Sequence, residues 1–281
     1  MRIALITIVS GRHAHLRRQL DWVSALDPQL HVHVVVSMGD PEIADLVAGH
    51  GNGRGVVVSM EPARELPLAA ARNAGVATAS GLGADAVVLL DVDCLPERGL
   101  LGDYERALVE IGSETAVISG RVKYLPEGMG EHDYTPQRVV ELGRDHDARV
   151  IPQGAALVEA DPRMLWSLNI AATVETWNRV GGFDESYVGY GGEDTDFGQR
   201  LAAAGGSMWW SGLACAYHQH HPTVTPPVQH AASIARNANI FRGKWGFDPM
   251  EGWLRELRNL GVLTRAGEDW HVFEQGSTDD A

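Results

Sequence analysis

The first hundred residues alternate short β-branched runs with stretches of helical periodicity. Strands are predicted near Arg2–Val9, His31–Ser37, Val56–Met60 and Ala86–Asp91. Helices are predicted near Arg12–Leu26, Pro41–Ala48 and Leu66–Ala79. This alternation is typical of an α/β fold with a mostly parallel central sheet flanked by helices. Because such sheets bind ligands at the carboxyl ends of their strands, we expect functional residues at that edge.

The pattern changes after the first half. From Gly120 to Arg149 hydrophobic periodicity gives way to polar residues, which predicts a loop on the substrate side. A strand is expected near Val150–Val158, and helices are expected at Glu175–Val180, Glu193–Ala203, Val228–Phe241 and Met250–Leu260. We predict one catalytic domain over residues 1–225, with a nucleotide-binding half (1–100) and an acceptor and metal half (101–225). A C-terminal helical extension would follow over residues 226–281.

Composition narrows the function classes. The chain has 281 residues, 44% of them hydrophobic, which is enough for one large core. Its formal charge of −14 argues against nucleic acid and anionic membrane surfaces as partners. The apolar N-terminus is too short to span a bilayer, and two cysteines make no disulfide framework, so we expect a cytoplasmic protein without an integral membrane segment. The oligomeric state stays open.

Two acids follow the last predicted strand of the first half. Val87–Leu90 drives a buried strand, and Asp91 and Asp93 then stand where the chain leaves the sheet. Carboxylate oxygens in that position suit Mg²⁺ or Mn²⁺ bound to a diphosphate. An acid triplet of this kind also occurs in ordinary surface turns. Asp91 and Asp93 therefore indicate a metal site only in combination with the other motifs of the chain.

A histidine cluster, Tyr217–Pro222, follows a predicted strand end. If the strand continued, His218 and His220 would share a face and His221 would point away. One imidazole added to a carboxylate could complete a half-shell for a divalent ion. The alternative is an exposed histidine-rich turn without a role in the reaction.

A glycine-flanked acid pair opens a predicted helix. Gly191 and Gly192 precede Glu193 and Asp194, so the backbone can approach a ligand at this bend. In the first helical turn the dipole favours the charged form of Asp194, which suits a proton acceptor. The alternative is a capped helix with acidic first-turn residues.

Two arginines are candidates for phosphate contacts. Arg72 lies on a helix of small residues, and Arg12 follows the first strand. Either could reach a diphosphate, or Arg72 could be a solvated residue on a structural helix and Arg12 part of an ordinary turn. The tryptophans Trp209, Trp210, Trp245 and Trp253 are interpreted as core residues.

Two stretches carry a family resemblance. Leu89–Pro96 (LLDVDCLP) and Val180–Asp196 (VGGFDESYVGYGGEDTD), in this order, resemble GT-A glycosyltransferases of the family-two type. The patterns are similar to those of the beta-1,4-galactosyltransferases and of the polypeptide N-acetylgalactosaminyltransferase catalytic domain, and the likeness runs from about Ile3 to Pro222. One departure is that Asp93 stands where the N-acetylgalactosaminyl group carries a histidine.

The resemblance implies roles for individual residues. Asp93 would bind the metal directly, with Asp91 on the ribose or a metal-bound water, and His218 would complete the shell with His220 in reserve. Asp194 would be the catalytic base and Glu193 would contact donor or acceptor sugar. Nucleotide contacts would come from Thr7, Val9, Arg12 and Arg72, and acceptor contacts from Tyr190, Gly154 and Gly192.

The expected activity is therefore a metal-dependent, inverting transfer of a hexose of the Gal, Glc or GalNAc type. The donor would be a UDP-sugar, the acceptor a carbohydrate or small-molecule hydroxyl, and the cofactor Mn²⁺ or Mg²⁺. Two alternatives are a sugar nucleotidyltransferase and a non-catalytic carbohydrate-binding protein of the same fold. A hydrolase built on the histidine cluster lacks an HExxH-type ligand pair.

Overall fold

A mixed β-sheet forms the centre of the protein. The computed structural model describes residues 1–50, 53–112, 115–147, 149, 151 and 156–273. The strands of the main sheet within these residues are β1 (Ile3–Val9), β2 (Val32–Met38), β3 (Gly55–Met60), β4 (Ala86–Leu90), β5 (Cys94–Pro96), β6 (Ala116–Tyr124), β7 (Arg144–Asp145), β8 (Leu157–Ala160), β9 (Asn169–Thr173) and β10 (Ser207–His218). Their spatial order is β3-β2-β1-β4-β9-β6-β10-β5, with β7 beside β6 and β8 beside β10.

Helices cover the sheet and continue past it. They are α1 (His13–Ser24), α2 (Glu42–Gly49), α3 (Leu68–Gly81), α4 (Leu100–Ile111), α5 (Pro136–Leu142), α6 (Val174–Val180), α7 (Glu193–Ala203), α8 (Ala231–Trp245) and α9 (Glu251–Asn259). Short 3-10 helices occupy Glu131–Asp133, Pro162–Met164 and Val228–His230. None of the helices in the described ranges is both long and apolar enough to cross a bilayer.

The first half has the predicted alternation of strands and helices. Strand β1 pairs in parallel with β2 and β4, and β2 pairs in parallel with β3. The carboxyl ends of these strands therefore meet at one edge of the sheet. The residues that follow β1, β2 and β4 lie at this edge, and Gly11 donates its N–H to Asp40 across it at 2.9 Å.

Side-chain alternation along β1 builds two core layers. Ala4, Ile6 and Ile8 belong to the apolar cluster that contains residues of α3, whereas Ile3 and Leu5 belong to the cluster on the opposite face. Every residue of β1 is buried because helices cover both faces. Helix α3 packs closely: a Cβ at Gly75 would lie 2.5 Å from Cγ2 of Ile6, so small residues are required there.

The second half differs from the sequence prediction. Residues 120–149 are not one loop, because β6 extends to Tyr124 and α5 begins after Thr135, whose side chain caps it. Strand β9 is not predicted by the sequence pattern, and of β10 only the end near Tyr217 is predicted. Strand β9 runs antiparallel between β4 and β6, and β10 pairs in parallel with β6. The strand predicted near 150–158 lies partly outside the described residues, and β8 begins only at Leu157.

The C-terminal segment encloses an apolar cluster of its own. Helices α8 and α9 occupy the predicted regions, and a hairpin of β11 (Leu263–Ala266) and β12 (Asp269–Val272), which was not predicted, follows them. Ile234, Leu257 and Trp270 are among the buried residues between these elements. The helical extension is thus stabilised by its own core.

Candidate metal centre and acid cluster

The two acids after β4 form a tight turn. The N–H of Cys94 donates to the carbonyl of Asp91 at 2.8 Å, and the N–H of Asp91 donates to the carbonyl of Leu168 at 3.0 Å. Val92, between the acids, is buried in an apolar cluster that includes Val9. The buried side chain and these bonds fix the turn, so the acids keep a defined position at the sheet edge.

Strand pairing brings His218 to Asp93. Strand β5 leaves the acid turn and pairs antiparallel with β10, in a register that sets Cys94 opposite His218. The N–H of Gln219 continues the ladder by donating to the carbonyl of Asp93 at 2.7 Å. As a result, Nε2 of His218 lies 3.6 Å from Oδ1 of Asp93.

A second histidine completes the group, and it is not the one predicted. Nε2 of His221 lies 3.3 Å from Oδ2 of Asp93, whereas His220 is exposed. The expectation that His218 and His220 share a face is wrong, because β10 ends at His218 and strand alternation does not continue beyond it. One ligand atom from each of Asp93, His218 and His221 lies within 4.8 Å of the others, and His220 is outside this group.

The pKa shifts of Asp93 and His218 favour the protonation states that bind a divalent cation. Burial opposes ionisation of Asp93, but the hydrogen bond from His221 and the charges of His218 and Arg12 outweigh it and lower its pKa to about 2. Burial lowers the pKa of His218, although Asp93 acts in the other direction. An ionised carboxylate and a neutral imidazole are the metal-binding forms of these groups. One oxygen and two nitrogen donors fit Mn²⁺ or a similar ion.

Arg12 lies beside the group. Its Nη1 is 3.3 Å from Oδ2 of Asp93, and its side chain is partly exposed to solvent. Its backbone is left-handed, with φ of 50° and ψ of 34°, at the residue that precedes α1. Such a conformation is uncommon for a residue other than glycine and often marks a functional position. Arg12 thus presents a cation beside the Asp93 carboxylate.

Arg72 joins the two acid motifs. Its Nη2 is 3.5 Å from Asp91 and its Nη1 is 3.4 Å from Glu193, and only 6% of its side chain is exposed. It is therefore not the solvated arginine of the structural alternative. Its guanidinium also lies over the ring of Phe183, 5.4 Å from the centroid. A buried cation between acids from distant segments holds these segments side by side.

Glu193 and Asp194 lie at the start of α7. Burial and the neighbouring Asp194 raise the pKa of Glu193 to about 7, although Arg72 opposes the shift. Oδ2 of Asp194 accepts the N–H of Ser167 at 3.1 Å, whereas its Oδ1 is buried and has no hydrogen-bond partner in the described residues. Burial likewise raises the pKa of Asp91 to about 6 against the pull of Arg72, with Asp93 and Asp194 adding to the rise. Asp194 therefore lies within electrostatic range of the acid turn.

The bend before α7 requires its glycines. Gly192 has φ of 93°, and a Cβ at Gly191, φ 90°, would lie 2.7 Å from Sδ of Met250. Tyr190, just before them, stacks with His230 and Trp253 at centroid distances of 4.8 and 5.6 Å. Tyr190 keeps 38% of its surface exposed, and the partial burial of its side chain and the charges of the acids raise its pKa. Trp253, interpreted from the sequence as core, is only half-buried, so the C-terminal helices contribute to this side of the site.

Thr7 and Val9 do not reach a ligand surface. Thr7 is fully buried and its hydroxyl donates to Oε1 of Gln19 at 2.9 Å, and Val9 packs with Leu16 in an apolar cluster. Odd-numbered positions of β1 lie beneath α1, which excludes both side chains from the sheet edge. Gly154, predicted to line the acceptor site, lies outside the described residues.

Sequence reasoning missed several residues at the site. Strand alternation points His221 away from the group that it joins in the structure. Asp40, which follows β2, accepts the N–H of Gly11 and lies 2.7 Å from Nε2 of His13. Its position after a parallel strand is the same signal that singled out Asp91. By contrast, nothing in the sequence marks Tyr124, whose ring stacks on that of His218 at a centroid distance of 4.7 Å.

Comparison with known proteins shows similarity to a galactosyltransferase family model and to enzymes that are named as glycosyltransferases or polysaccharide synthases. Residues 160–221 match the family model described as the N-terminal domain of galactosyltransferase. Chondroitin synthase from Pasteurella multocida is 28% identical over 199 residues, which are 63% of this chain and 20% of that protein. The pre-mycofactocin glycosyltransferase of Mycobacterium tuberculosis is 31% identical over 171 residues, 60% of this chain and 34% of that protein. The chain thus spans about a third or less of the length of these curated relatives.

Two solved structures share the fold. GalNAc-T7, solved with UDP, GalNAc and Mn²⁺, superposes with a TM-score of 0.61 at 15% identity, covering 92% of this chain and 57% of the other. TarS from S. aureus superposes with a TM-score of 0.62 at 14% identity, covering 93% and 45%. At these identities the likeness establishes the fold, and the site must be argued from its own residues.

Proposed function

We propose that this chain, a glycosyltransferase domain of the GT-A type, transfers a hexose from a UDP-sugar to a hydroxyl acceptor with a divalent cation bound at Asp93, His218 and His221. The observation that carries the proposal is the proximity of these three ligand atoms, all within 4.8 Å of one another. It is the arrangement expected of a half-shell that leaves positions open for phosphate oxygens. The solved relative with UDP, GalNAc and Mn²⁺ supports the same donor and ion.

The metal group and Arg12 act on the leaving diphosphate. When bound, the ion would supply positive charge next to the diphosphate, where negative charge develops as the bond between the diphosphate and the sugar breaks. Asp93 is kept ionised by its histidine and arginine neighbours and is therefore ready to bind a cation. Arg12, 3.3 Å from Asp93, adds a second positive charge at the same place.

Asp194 takes the proton of the acceptor. Its Oδ2 accepts the Ser167 N–H, and its buried Oδ1 has no hydrogen-bond partner among the described residues, so this oxygen would have a lone pair for an acceptor hydroxyl that reaches it. The acceptor oxygen then bonds to the anomeric carbon as the bond from that carbon to the diphosphate oxygen breaks. The hydroxyl proton passes to Asp194 and UDP leaves. One such displacement inverts the anomeric carbon.

Four of the other predicted residues would line the two substrates. Asp91 would hold the ribose or a water, and Glu193 would contact a sugar of the donor or acceptor. Tyr190 and Gly192 would line the acceptor side. Arg72 contacts two carboxylates, so we propose that it sets the distance between the two acid motifs and also attracts the phosphates of the donor.

The two described cysteines are buried and unpaired, which supports a reducing, cytoplasmic location.

Product analysis tests the proposal. The protein is incubated with UDP-Gal, UDP-Glc or UDP-GalNAc, with Mn²⁺ or with a chelator, and released UDP is measured. We expect slow UDP release from at least one donor and none after chelation. Asp93→Asn should lose this release, and Asp27→Asn, a substitution at an exposed acid paired with Arg98, should retain it. Release of pyrophosphate in place of UDP would identify a nucleotidyltransferase, and no turnover of any donor would refute the proposed transfer.

A further inference from the structure

A chain of buried polar side chains runs beneath the acid turn. Gln19, on α1, is fully buried, and its side-chain nitrogen donates to the carbonyls of both Asp91 and Cys94, at 2.8 and 2.9 Å. These carbonyls bracket the acid turn. The same Asp91 carbonyl accepts the N–H of Cys94 that closes the turn. One amide group therefore clamps both ends of the segment that carries Asp93.

Two further buried side chains fix the orientation of the Gln19 amide. Oε1 of Gln19 accepts the hydroxyl hydrogen of Thr7 at 2.9 Å, and Nε2 of His33 lies 3.0 Å from the same hydroxyl. Because the single hydroxyl hydrogen of Thr7 goes to Gln19, Nε2 of His33 is the donor in that contact. The three side chains come from α1, β1 and β2, and all are buried. Both ends of the Gln19 amide are thereby satisfied, which gives it one orientation.

A second glutamine fixes the other carbonyl of the turn. Gln219 donates its backbone N–H to Asp93, and its side chain accepts from Arg18 and donates to the carbonyl of His15. Gln219 stands between the ladder end at His218 and the ligand His221. Helix α1 therefore contacts the acid turn directly through Gln19 and the histidine segment through Gln219. These contacts couple the two halves of the metal group to one rigid element.

We propose that Gln19 is a positioning residue for the metal group, holding the turn so that the Asp93 carboxylate meets His218 and His221 at ligand distance. This inference rests on the proposed metal-dependent function. Gln19 touches neither metal nor substrate, and it acts through the backbone of Asp91 and Cys94. Groups that orient metal ligands in this way typically contribute a factor of about 10–100 to metal affinity.

The test measures metal binding without turnover. Gln19→Met keeps the length of the side chain and removes its donors. Mn²⁺ affinity is measured by titration with detection of free Mn²⁺ by electron paramagnetic resonance, and stability by thermal unfolding. We expect the variant to bind Mn²⁺ at least about tenfold more weakly. The matched control is Asn239→Leu, which removes an amide that ties α8 to the backbone of Trp270 in the C-terminal apolar cluster.

The outcomes separate positioning from general destabilisation. A lower unfolding midpoint in both variants, with weaker Mn²⁺ binding in Gln19→Met alone, supports the inference. Wild-type Mn²⁺ affinity in folded Gln19→Met overturns it. If Gln19→Met does not fold, Thr7→Val, which frees the Gln19 amide from its orienting hydroxyl, takes its place, and unchanged affinity there overturns the inference.

A separate measurement distinguishes failure of the proposed function from failure of the inference about Gln19. If the wild-type protein binds no Mn²⁺, the metal part of that function fails. Hydrogen exchange of residues 91–96 then decides the inference about Gln19. Faster exchange in Gln19→Met than in Asn239→Leu supports the clamp, and equal exchange overturns it.

Discussion

Oδ2 of Asp93 lies 3.3 Å from Nε2 of His221, a histidine that strand alternation assigns to the opposite side of the chain. The contact exists because β10 ends at His218 and the following residues turn back toward the acid motif. Asp93 thereby receives two imidazoles and the guanidinium of Arg12. The carboxylate and the two imidazoles therefore lie close enough together to bind one metal ion.

The histidine pair offers a matched comparison. His221→Ala should weaken Mn²⁺ binding by more than about tenfold, because it removes a ligand atom from the group. His220→Ala changes the same kind of residue one position away, at an exposed side chain, and should leave the affinity unchanged. Calorimetric titration with Mn²⁺ measures both variants. The reverse order of effects would show that the alternation predicted from the sequence is correct after all.

Asp93 and Asp194 should have separable effects. Asp93→Ala and Asp194→Asn are both expected to abolish transfer, but only Asp93→Ala should weaken Mn²⁺-dependent UDP binding. Loss of a general base typically lowers kcat by roughly 10²–10⁴-fold, while substrate binding is spared. Turnover assays combined with UDP titrations measure the two effects. Undiminished kcat in Asp194→Asn would exclude this residue as the base.

Removing Arg72 should destabilise the fold. Arg72→Met leaves the buried Glu193 and the nearby Asp91 without their shared cation, which typically costs about 3–5 kcal/mol. The double variant Arg72→Met/Glu193→Gln removes one of the unbalanced charges and should recover part of the loss. Urea unfolding of the two variants and the wild type measures the difference. Equal stability of the single and double variants would show that Glu193 does not depend on Arg72.

His33 makes stability depend on pH. Burial lowers its pKa to about 4, from an unfolded value near 6.5. Between these values the unfolded chain binds the proton and the folded chain does not, so stability falls as pH drops from about 6.5 toward 4. The contribution is on the order of 3 kcal/mol over that window. Above and below the window the contribution of this residue is constant.

The comparison of two glutamine variants isolates this effect. His33→Gln cannot take up the proton and should flatten the free energy of unfolding between pH 4 and 6.5. His132→Gln, at a side chain that is 88% exposed, should keep the wild-type slope. Urea unfolding at a series of pH values measures both. Identical slopes in His33→Gln and the wild type would contradict the burial argument.

The sequence by itself determined the parallel half of the fold and singled out the acidic candidates for the site. Strands β1, β2 and β4 are mostly apolar and buried on both faces, and such runs followed by helical periodicity predict a parallel, helix-covered sheet from the local sequence alone. Asp91, Asp93 and Asp194 were recognisable because acids stand directly after a strand or at the start of a helix. The local sequence pattern is sufficient to predict an element where the burial and backbone geometry of its residues are set by residues nearby in the chain.

Tertiary structure decided which side chains meet. Strand β9 was not readable because its pairing partners, β4 and β6, come from distant segments. Where β10 ends is set by its register with β5, and that end selects His221 over His220. Thr7 carries a hydroxyl at the expected strand position, yet the packing of α1 turns it toward Gln19 and away from solvent. These outcomes depend on contacts between residues far apart in the chain, because the position of a strand end or a buried hydroxyl is fixed by the elements packed against it.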